Sequence, residues 1–396
     1  MYMPGLRPGS MSWSIYQDFA SAVRALGPEL TVLTDAPDGS VPSAHQGTRY
    51  LRTSPSARLL DGLAAPLTRC RSLLSTSQAV RNYLCQQHDL DLFYCEIAYP
   101  LGAGINLARR RTGWNGATVV CPMGEDILVV DDAGYGFGRY PVPRRARDWT
   151  LRSAAAIRCI SPMVQERIAA FGRASAVVPL NVANVTVEAA GRSAEAIASE
   201  RRSARASLRS RLELNREALI LSLGRLHPFK GVHVLVDAMA GLPDAELLIA
   251  GPSLSVRGYG DYADFLRHRA RQQGVADRVH LLGAVPHVEV IEMLSAADVV
   301  VVPSLLESLN RVCMEAAAAG TPFVVTETTG VSAFVTEDGV GIVVPPRDPD
   351  AIAAALSTIL DHSWTPDRAA AQRFVARFSA GAVAAPLVEL FEEALS

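Results

Sequence analysis

Short apolar runs alternate with amphipathic stretches over most of the chain, the signature of βαβ units and parallel sheets. In the N-terminal half, the runs at 30–34, 90–97, 117–121 and 155–160 read as strands, and 14–26 reads as an amphipathic helix. In the C-terminal half, strands are expected at 219–224, 245–251, 279–283, 299–303 and 322–326. These later runs are mostly continuous and not alternating, so helices should cover both faces of their sheet.

Between the halves, the segment Val177-Val178-Pro179-Leu180-Asn181-Val182-Ala183 is followed by a polar stretch at 190–215. We read 179–184 as an interdomain hinge and the polar stretch as a surface helix or linker. The expected architecture is α/β, with two Rossmann-like domains facing each other across a cleft. Their spans are 1–183 and 184–396, the last helix being free to return to the N-terminal domain. One feature fits poorly. The Gly-rich turn at 4–10 begins almost at Met1, so the strand that should precede it reads as missing or very short.

Length agrees with two domains, because 396 residues exceed one ordinary core. With 49% apolar and 20% charged residues the chain is a folded globular protein. Its most apolar run, at 299–303, is far too short to cross a bilayer, and the first ten residues lack the features of a signal peptide, so a cytoplasmic location is expected. The six cysteines form no C-x-x-C pair, and Cys85 with His88 lacks a second pair to complete a four-ligand site; free thiols are expected. Residues 1–183 carry 19 basic and 14 acidic side chains, a balance of +5 within a net charge of −2. Ordinary scatter accounts for this, although a basic half could also favour an anionic acceptor or weak contact with a membrane surface. Nothing points to nucleic acid, and the oligomeric state is open.

Of 38 basic residues, a single one is lysine, Lys230. It sits in Gly224-Arg225-Leu226-His227-Pro228-Phe229-Lys230-Gly231, directly after a strand and just before a helix expected from about Val232. Cations at a strand's C-terminal end beside a helix start are placed to receive phosphate. Downstream, Glu307 and Glu315 stand with seven residues between them after the strand at 299–303. Glu307 falls in a turn and Glu315 about two turns into a helix. The amides of Ser308, Leu309 and Asn310 open that helix and make an anion-binding end. The helix is otherwise apolar, so Glu315 needs a partner.

The pattern GRLHPFKG, then ESLNRVCME, then AGTPFVVTETTG resembles the retaining glycosyltransferases of family 4, which have the GT-B fold. The resemblance spans nearly the whole chain and is tightest over 219–346. It implies transfer of a sugar from a nucleoside-diphosphate sugar to a small-molecule or lipid-linked acceptor. It implies that Arg225 and Lys230 hold the diphosphate, that Glu315 binds the ribose and that Glu307 binds the donor sugar. Gly9, Ser10, Gly224, Ser308, Leu309 and Asn310 would contribute to the donor site, with the base near Gly283 and Val285. Met123, Glu125 and Asp126 would lie on the acceptor side. Met123 stands where the family often has histidine. No cofactor or metal is expected, because Asp89-Leu90-Asp91 precedes its strand instead of following one.

Three other motifs carry less weight. Gly134-Tyr135-Gly136-Phe137-Gly138 has no evident helix after it and reads as a mobile loop near the acceptor. Arg109-Arg110-Arg111 and Arg144-Arg145 read as solvated charge. Two rival readings remain: a nucleotide-sugar epimerase on the same fold, and a non-catalytic relative that binds a sugar nucleotide.

Overall fold

The computed structural model describes residues 11–30, 32–35, 44–45, 48–51, 55–70, 72–86 and 90–396. The chain divides into two compact units. Unit 1 holds Met1–Asp131, Tyr135–Ala183 and Ala380–Ser396, and unit 2 holds Asp132–Gly134 and Asn184–Ser379.

Unit 1 contains α1 (Met11–Ala25), β1 (Val32–Asp35), β2 (Ala44–His45), β3 (Thr48–Leu51), α2 (Pro55–Thr68), α3 (Leu73–Leu84) and β4 (Leu92–Glu96). It continues with α4 (Ala103–Thr112), β5 (Ala117–Cys121), α5 (Pro141–Ser153), β6 (Ala156–Cys159), α6 (Pro162–Ile168) and β7 (Ala174–Val177). Strands β4-β5-β6-β7 form a parallel sheet in that order. β1 pairs parallel with β3, which pairs antiparallel with β2. Every residue of β6 is buried, as are the last four of β4 and of β5, as expected of strands covered on both faces.

Unit 2 contains α7 (Asn184–Ala190), α8 (Ala194–Leu212), β8 (Ala218–Leu223), α9 (Val232–Ala238), β9 (Ala245–Ala250), β10 (Ser255–Val256), β11 (Gly260–Asp261) and α10 (Tyr262–Gln272). There follow β12 (Val279–Gly283), α11 (His287–Ala296), β13 (Val299–Val302), α12 (Arg311–Ala318), β14 (Phe323–Thr326), α13 (Ser332–Asp338), β15 (Ile342–Val344), α14 (Pro349–Leu360) and α15 (Arg368–Ala376). The main sheet is parallel, in the order β12-β9-β8-β13-β14-β15. Numbered from β8 as the first strand, this is 3-2-1-4-5-6, the doubly wound order of a Rossmann fold. The last helix, α16 (Ala380–Leu395), belongs to unit 1. It packs on α1 and places the Phe391 ring 5.7 Å from that of Tyr94 in β4.

The polar stretch at 190–215 is a continuous helix over most of its length, not a linker. Ser193 caps α8 by accepting from the Ala196 amide at 3.2 Å. The helix is attached largely through charge: Arg201 and Arg205 both reach Asp298, which also accepts from the Leu219 amide at 2.8 Å.

A helix does follow the 134–138 glycine motif, contrary to expectation. α5 starts at Pro141, after a 3-10 turn over Phe137–Arg139; proline at the first helical position suits a helix start. The motif is tied down as well. Val130 and Tyr135 exchange two backbone hydrogen bonds of 3.0 and 3.1 Å, and Gly136 (φ +100°) passes so close to Leu128 that a Cβ would lie 2.1 Å from its carbonyl oxygen.

The hinge segment is anchored by a residue that sequence reading passed over. Arg158, 1% exposed in β6, donates to the carbonyls of Val178 and Pro179 and to the Tyr94 hydroxyl. The Asn181 amide adds a 3.0 Å bond to the Ile15 carbonyl. The turn at 4–10, and with it the first strand, lies outside the described residues, as do Asp89 and His88. All six cysteines are free thiols. Among the described residues no single helix is long and apolar enough to cross a membrane.

Candidate active site

In a doubly wound sheet, ligands bind beyond the carboxyl ends of the strands where the order reverses. In unit 2 that point lies between β8 and β13. The pocket there is lined by Gly224, Arg225, Lys230, Pro303, Ser304 and Asn310, among others. Leaving β8, the chain makes a 3-10 turn over Pro228–Lys230, held by the Phe229 amide donating to His227 Nδ1 at 3.3 Å. Burial, then Arg225 and Lys230, lower the His227 pKa to about 4, so its ring is neutral at physiological pH. Gly231 (φ +67°) closes the turn against the loop after β13, where a Cβ would lie 1.9 Å from the Pro303 carbonyl oxygen. The Leu305 amide donates to the Phe229 carbonyl at 2.8 Å. These contacts bring the two sequence motifs together.

At their junction Lys230 Nζ is ion-paired with Glu307 Oε1. The other carboxylate oxygen, Oε2, accepts from Ser304 Oγ at 2.8 Å and from Asn310 Nδ2 at 2.9 Å. Asn310 also caps α12, its Oδ1 accepting from the Val312 amide at 2.9 Å. One side chain thus joins the start of α12 to the carboxylate. The backbone of Glu307 is stitched to the loop after β14: its amide donates to Thr328 at 3.1 Å and its carbonyl accepts from Gly330 at 2.7 Å. Ser304 is fixed in turn by Thr326 Oγ1, which donates to its carbonyl at 2.6 Å. Neither Ser304 nor the threonines of TETTG stand out in the sequence as site residues; their roles depend on contacts across the sheet.

Arg225 is exposed at the rim. Ser308, Leu309 and Asn310 are buried just before α12. Glu315 lies one turn beyond Arg311 on α12 (i, i+4). Burial raises its pKa to about 7, with Arg311 acting in the opposite direction. Gly283 (φ +70°) ends β12 and accepts from the Gly251 amide at 2.7 Å, while Val285 follows in the loop before α11. Gly9 and Ser10 lie outside the described residues.

Met123, Glu125 and Asp126 belong to unit 1. Asp126, 1% exposed, accepts from the amides of Gly124 at 2.9 Å, Met123 at 3.1 Å and Ala98 at 2.6 Å. Burial raises its pKa and these amides oppose the rise. Its oxygens therefore fasten the 123–126 turn to the end of β4. Just there Ile97 adopts φ +72°, a strained backbone for a β-branched residue. Glu125 is exposed and Met123 half-buried. The arginine run is only partly solvated charge, since Arg109 and Arg110 lie over the Trp114 and Trp149 rings at 5.8 and 4.8 Å.

Two family profiles match in succession: "Glycosyl transferase 4-like domain" over residues 13–181 and "Glycosyl transferases group 1" over residues 204–374. The D-inositol 3-phosphate glycosyltransferase of Corynebacterium glutamicum is 38% identical over 204 residues, which is 48% of each chain. The glycogen synthase of Mycobacterium tuberculosis is 28% identical over 383 residues, covering 89% of this chain and 82% of that one. Among solved structures, HepE of Anabaena in complex with UDP and glucose superposes with a TM-score of 0.71 at 21% identity, over 99% of this chain and 98% of that one. The strand order of unit 2, the site built at its switch point and these two successive matches agree: the chain is a glycosyltransferase of the family 4 type, with the GT-B fold.

Proposed function

We propose that the chain moves a glycosyl group from a nucleoside-diphosphate sugar to a small-molecule or lipid-linked acceptor, with retention of anomeric configuration and without a metal. The observation that carries this reading is the meeting of Lys230, Glu307, Ser304 and Asn310 at the switch point of unit 2, beside the amides that open α12. Arg225, Lys230 and those amides supply the positive potential a diphosphate needs. A bound diphosphate competes for the Lys230 ammonium and frees Glu307 Oε1 to accept from a hydroxyl of the donor sugar. Glu315 accepts from the ribose hydroxyls, which requires its ionised form. Gly283 and Val285 lie near the base.

In the reaction the bond from the anomeric carbon to the phosphate oxygen breaks and its electron pair stays on the diphosphate. A bond to the acceptor oxygen forms on the same face. The acceptor's proton passes to the departing phosphate oxygen, so no enzyme base is needed at position 123. Met123 cannot take a proton, and the Asp126 carboxylate is already engaged by three amides. NMR of the product's anomeric centre and assay in excess EDTA test this reading. A retained product with full activity in EDTA is expected; an inverted product, or activity restored only by Mg²⁺ or Mn²⁺, contradicts it. Incubation with donor alone separates transfer from epimerisation, which would release an isomerised sugar.

A further inference from the structure

Helix α2 is turned inside out for a soluble protein. Its inward positions are Ala57, Asp61 and Thr68, all buried, with Ala64 and Ala65 half-buried. Asp61 is 0% exposed and caps α3, accepting from the amides of Leu74 at 2.7 Å and Ser75 at 2.8 Å. The leucines face the other way. Leu59, Leu60, Leu63 and Leu67 are 67%, 53%, 72% and 69% exposed. At about 100° per residue they fall within a stripe about 100° wide, opposite the buried positions. The single acidic residue of α2 is the buried Asp61.

The surroundings of the stripe are basic. Arg58 and Arg69, at the start and just past the end of α2, are exposed. Arg69 lies over the Tyr140 ring at 4.5 Å, which places the end of α2 beside the start of α5. There Val142 is exposed, as are Arg144 and Arg145. The pair that reads in sequence as ordinary solvated charge thus borders a row of bare leucines. Apolar side chains at the centre with arginines around them match the chemistry of a bilayer surface rich in anionic lipid: acyl chains take the leucines and headgroups take the guanidiniums. A water-facing helix has no use for four leucines, and a neutral apolar partner has no use for the arginines.

We infer that α2 and the start of α5 form a docking surface for an anionic membrane, with α2 lying in the interface. The surface brings unit 1 to an acceptor that resides in or at the bilayer. That consequence rests on the glycosyltransfer proposed above, whereas docking itself does not, and a vesicle assay separates the two because it needs neither donor nor turnover.

The full chain is sedimented with vesicles of phosphatidylcholine alone and of phosphatidylcholine mixed with phosphatidylglycerol, as wild type, as Leu63→Gln/Leu67→Gln and as Arg144→Glu/Arg145→Glu. Wild type should bind the anionic vesicles and leave the neutral ones largely unbound. The leucine variant should lose about a hundredfold in partitioning, roughly tenfold for each leucine no longer buried in lipid. The arginine variant should lose about fivefold or more per charge. Both should keep the wild-type Tm, because the altered side chains face outward. The inference is overturned by absence of vesicle binding, or by binding that the leucine substitutions leave unchanged. It is equally overturned by a fall of several degrees in the Tm of the leucine variant, which would mean that the face is packed within the chain. An oligomer on gel filtration that the leucine substitutions dissolve, without vesicle binding, would assign the face to a second copy and also overturn it.

Discussion

Replacing Asn310 by aspartate separates two tasks that one side chain performs. Through Oδ1 it caps α12, and through Nδ2 it holds Glu307 Oε2 at 2.9 Å. Aspartate caps as well as asparagine does, but it has no N–H to donate and sets a second carboxylate against Glu307. Alanine removes both functions. Loss of the cap costs about 1 kcal/mol, which lowers Tm by about 2–4 °C in a unit of this size. Loss of a hydrogen bond to a charged group costs about 1.5–3 kcal/mol. If that bond holds Glu307 in its reactive position, kcat/KM should fall about tenfold to a hundredfold. Asn310→Ala should therefore lose both Tm and activity. Asn310→Asp keeps the cap, so any fall in its Tm reports the repulsion with Glu307 and not loss of the helix start, and it should lose at least as much activity, since repulsion adds to the missing bond. The assay is steady-state kinetics with donor and acceptor varied, beside a thermal melt. Wild-type kcat/KM in Asn310→Asp would refute the assignment of Asn310 as the residue that positions Glu307.

Three further outcomes follow from the same geometry. Burial raises the Glu315 pKa from an ordinary carboxylate value to about 7, so the folded state holds a proton that the unfolded chain has released; stability should fall as pH rises from about 4.5 towards 7 and then level off. Over that interval the ribose contact proposed for Glu315 makes nucleoside diphosphate affinity rise, because the ionised carboxylate can accept from both hydroxyls; in Glu315→Gln both pH dependences should vanish in titration calorimetry and melting, while Glu307→Gln should leave nucleotide affinity much closer to wild type. Lys230→Ala should lower kcat by about 10²–10³, as for other lost donors to a developing oxyanion, and nucleotide should protect this lysine from chemical modification, read by peptide mass. Asp126→Ala should destabilise unit 1 by about 3 kcal/mol or more, since three amides lose their acceptor; a melt within 1 °C of wild type would argue against its role as a fastener.

In unit 2, β8, β9, β12, β13 and β14 were legible because each is a largely continuous apolar run. Among the strands that were not legible are β7 of unit 1 and β15 of unit 2. All four residues of β7 are half-buried, in the weakly apolar run ASAV, and β15 is a three-residue edge strand. α8 was hard to tell from a linker because it buries only Ala204 and Leu208 and holds on with arginines, which leaves little apolar period. The start of α5 was hidden by Pro141 and Pro143, which look like breakers until the chain direction is known. In the site, Lys230 and Glu307 could be singled out by residue type and spacing. Ser304 and Asn310 as holders of Glu307 could not, because those bonds depend on how the loop after β13 folds back. Asp126 carries a role that sequence does not display: its three amide partners make it a fastener of its own turn. Arg158 interrupts an apolar strand without explanation until the carbonyls of Val178 and Pro179 are seen to receive it.

Unit 2 should bind a nucleoside diphosphate through the residues at its switch point. Thermal melts of wild type and Arg225→Ala/Lys230→Ala in UDP, GDP, ADP and dTDP measure this. At about 100 times its dissociation constant, the matching nucleotide should stabilise wild type by roughly 2.7 kcal/mol, a rise of about 5–11 °C for a unit of this size, and the double variant should show little of it. No shift with any of the four nucleotides, or an equal shift in the double variant, would contradict the central claim.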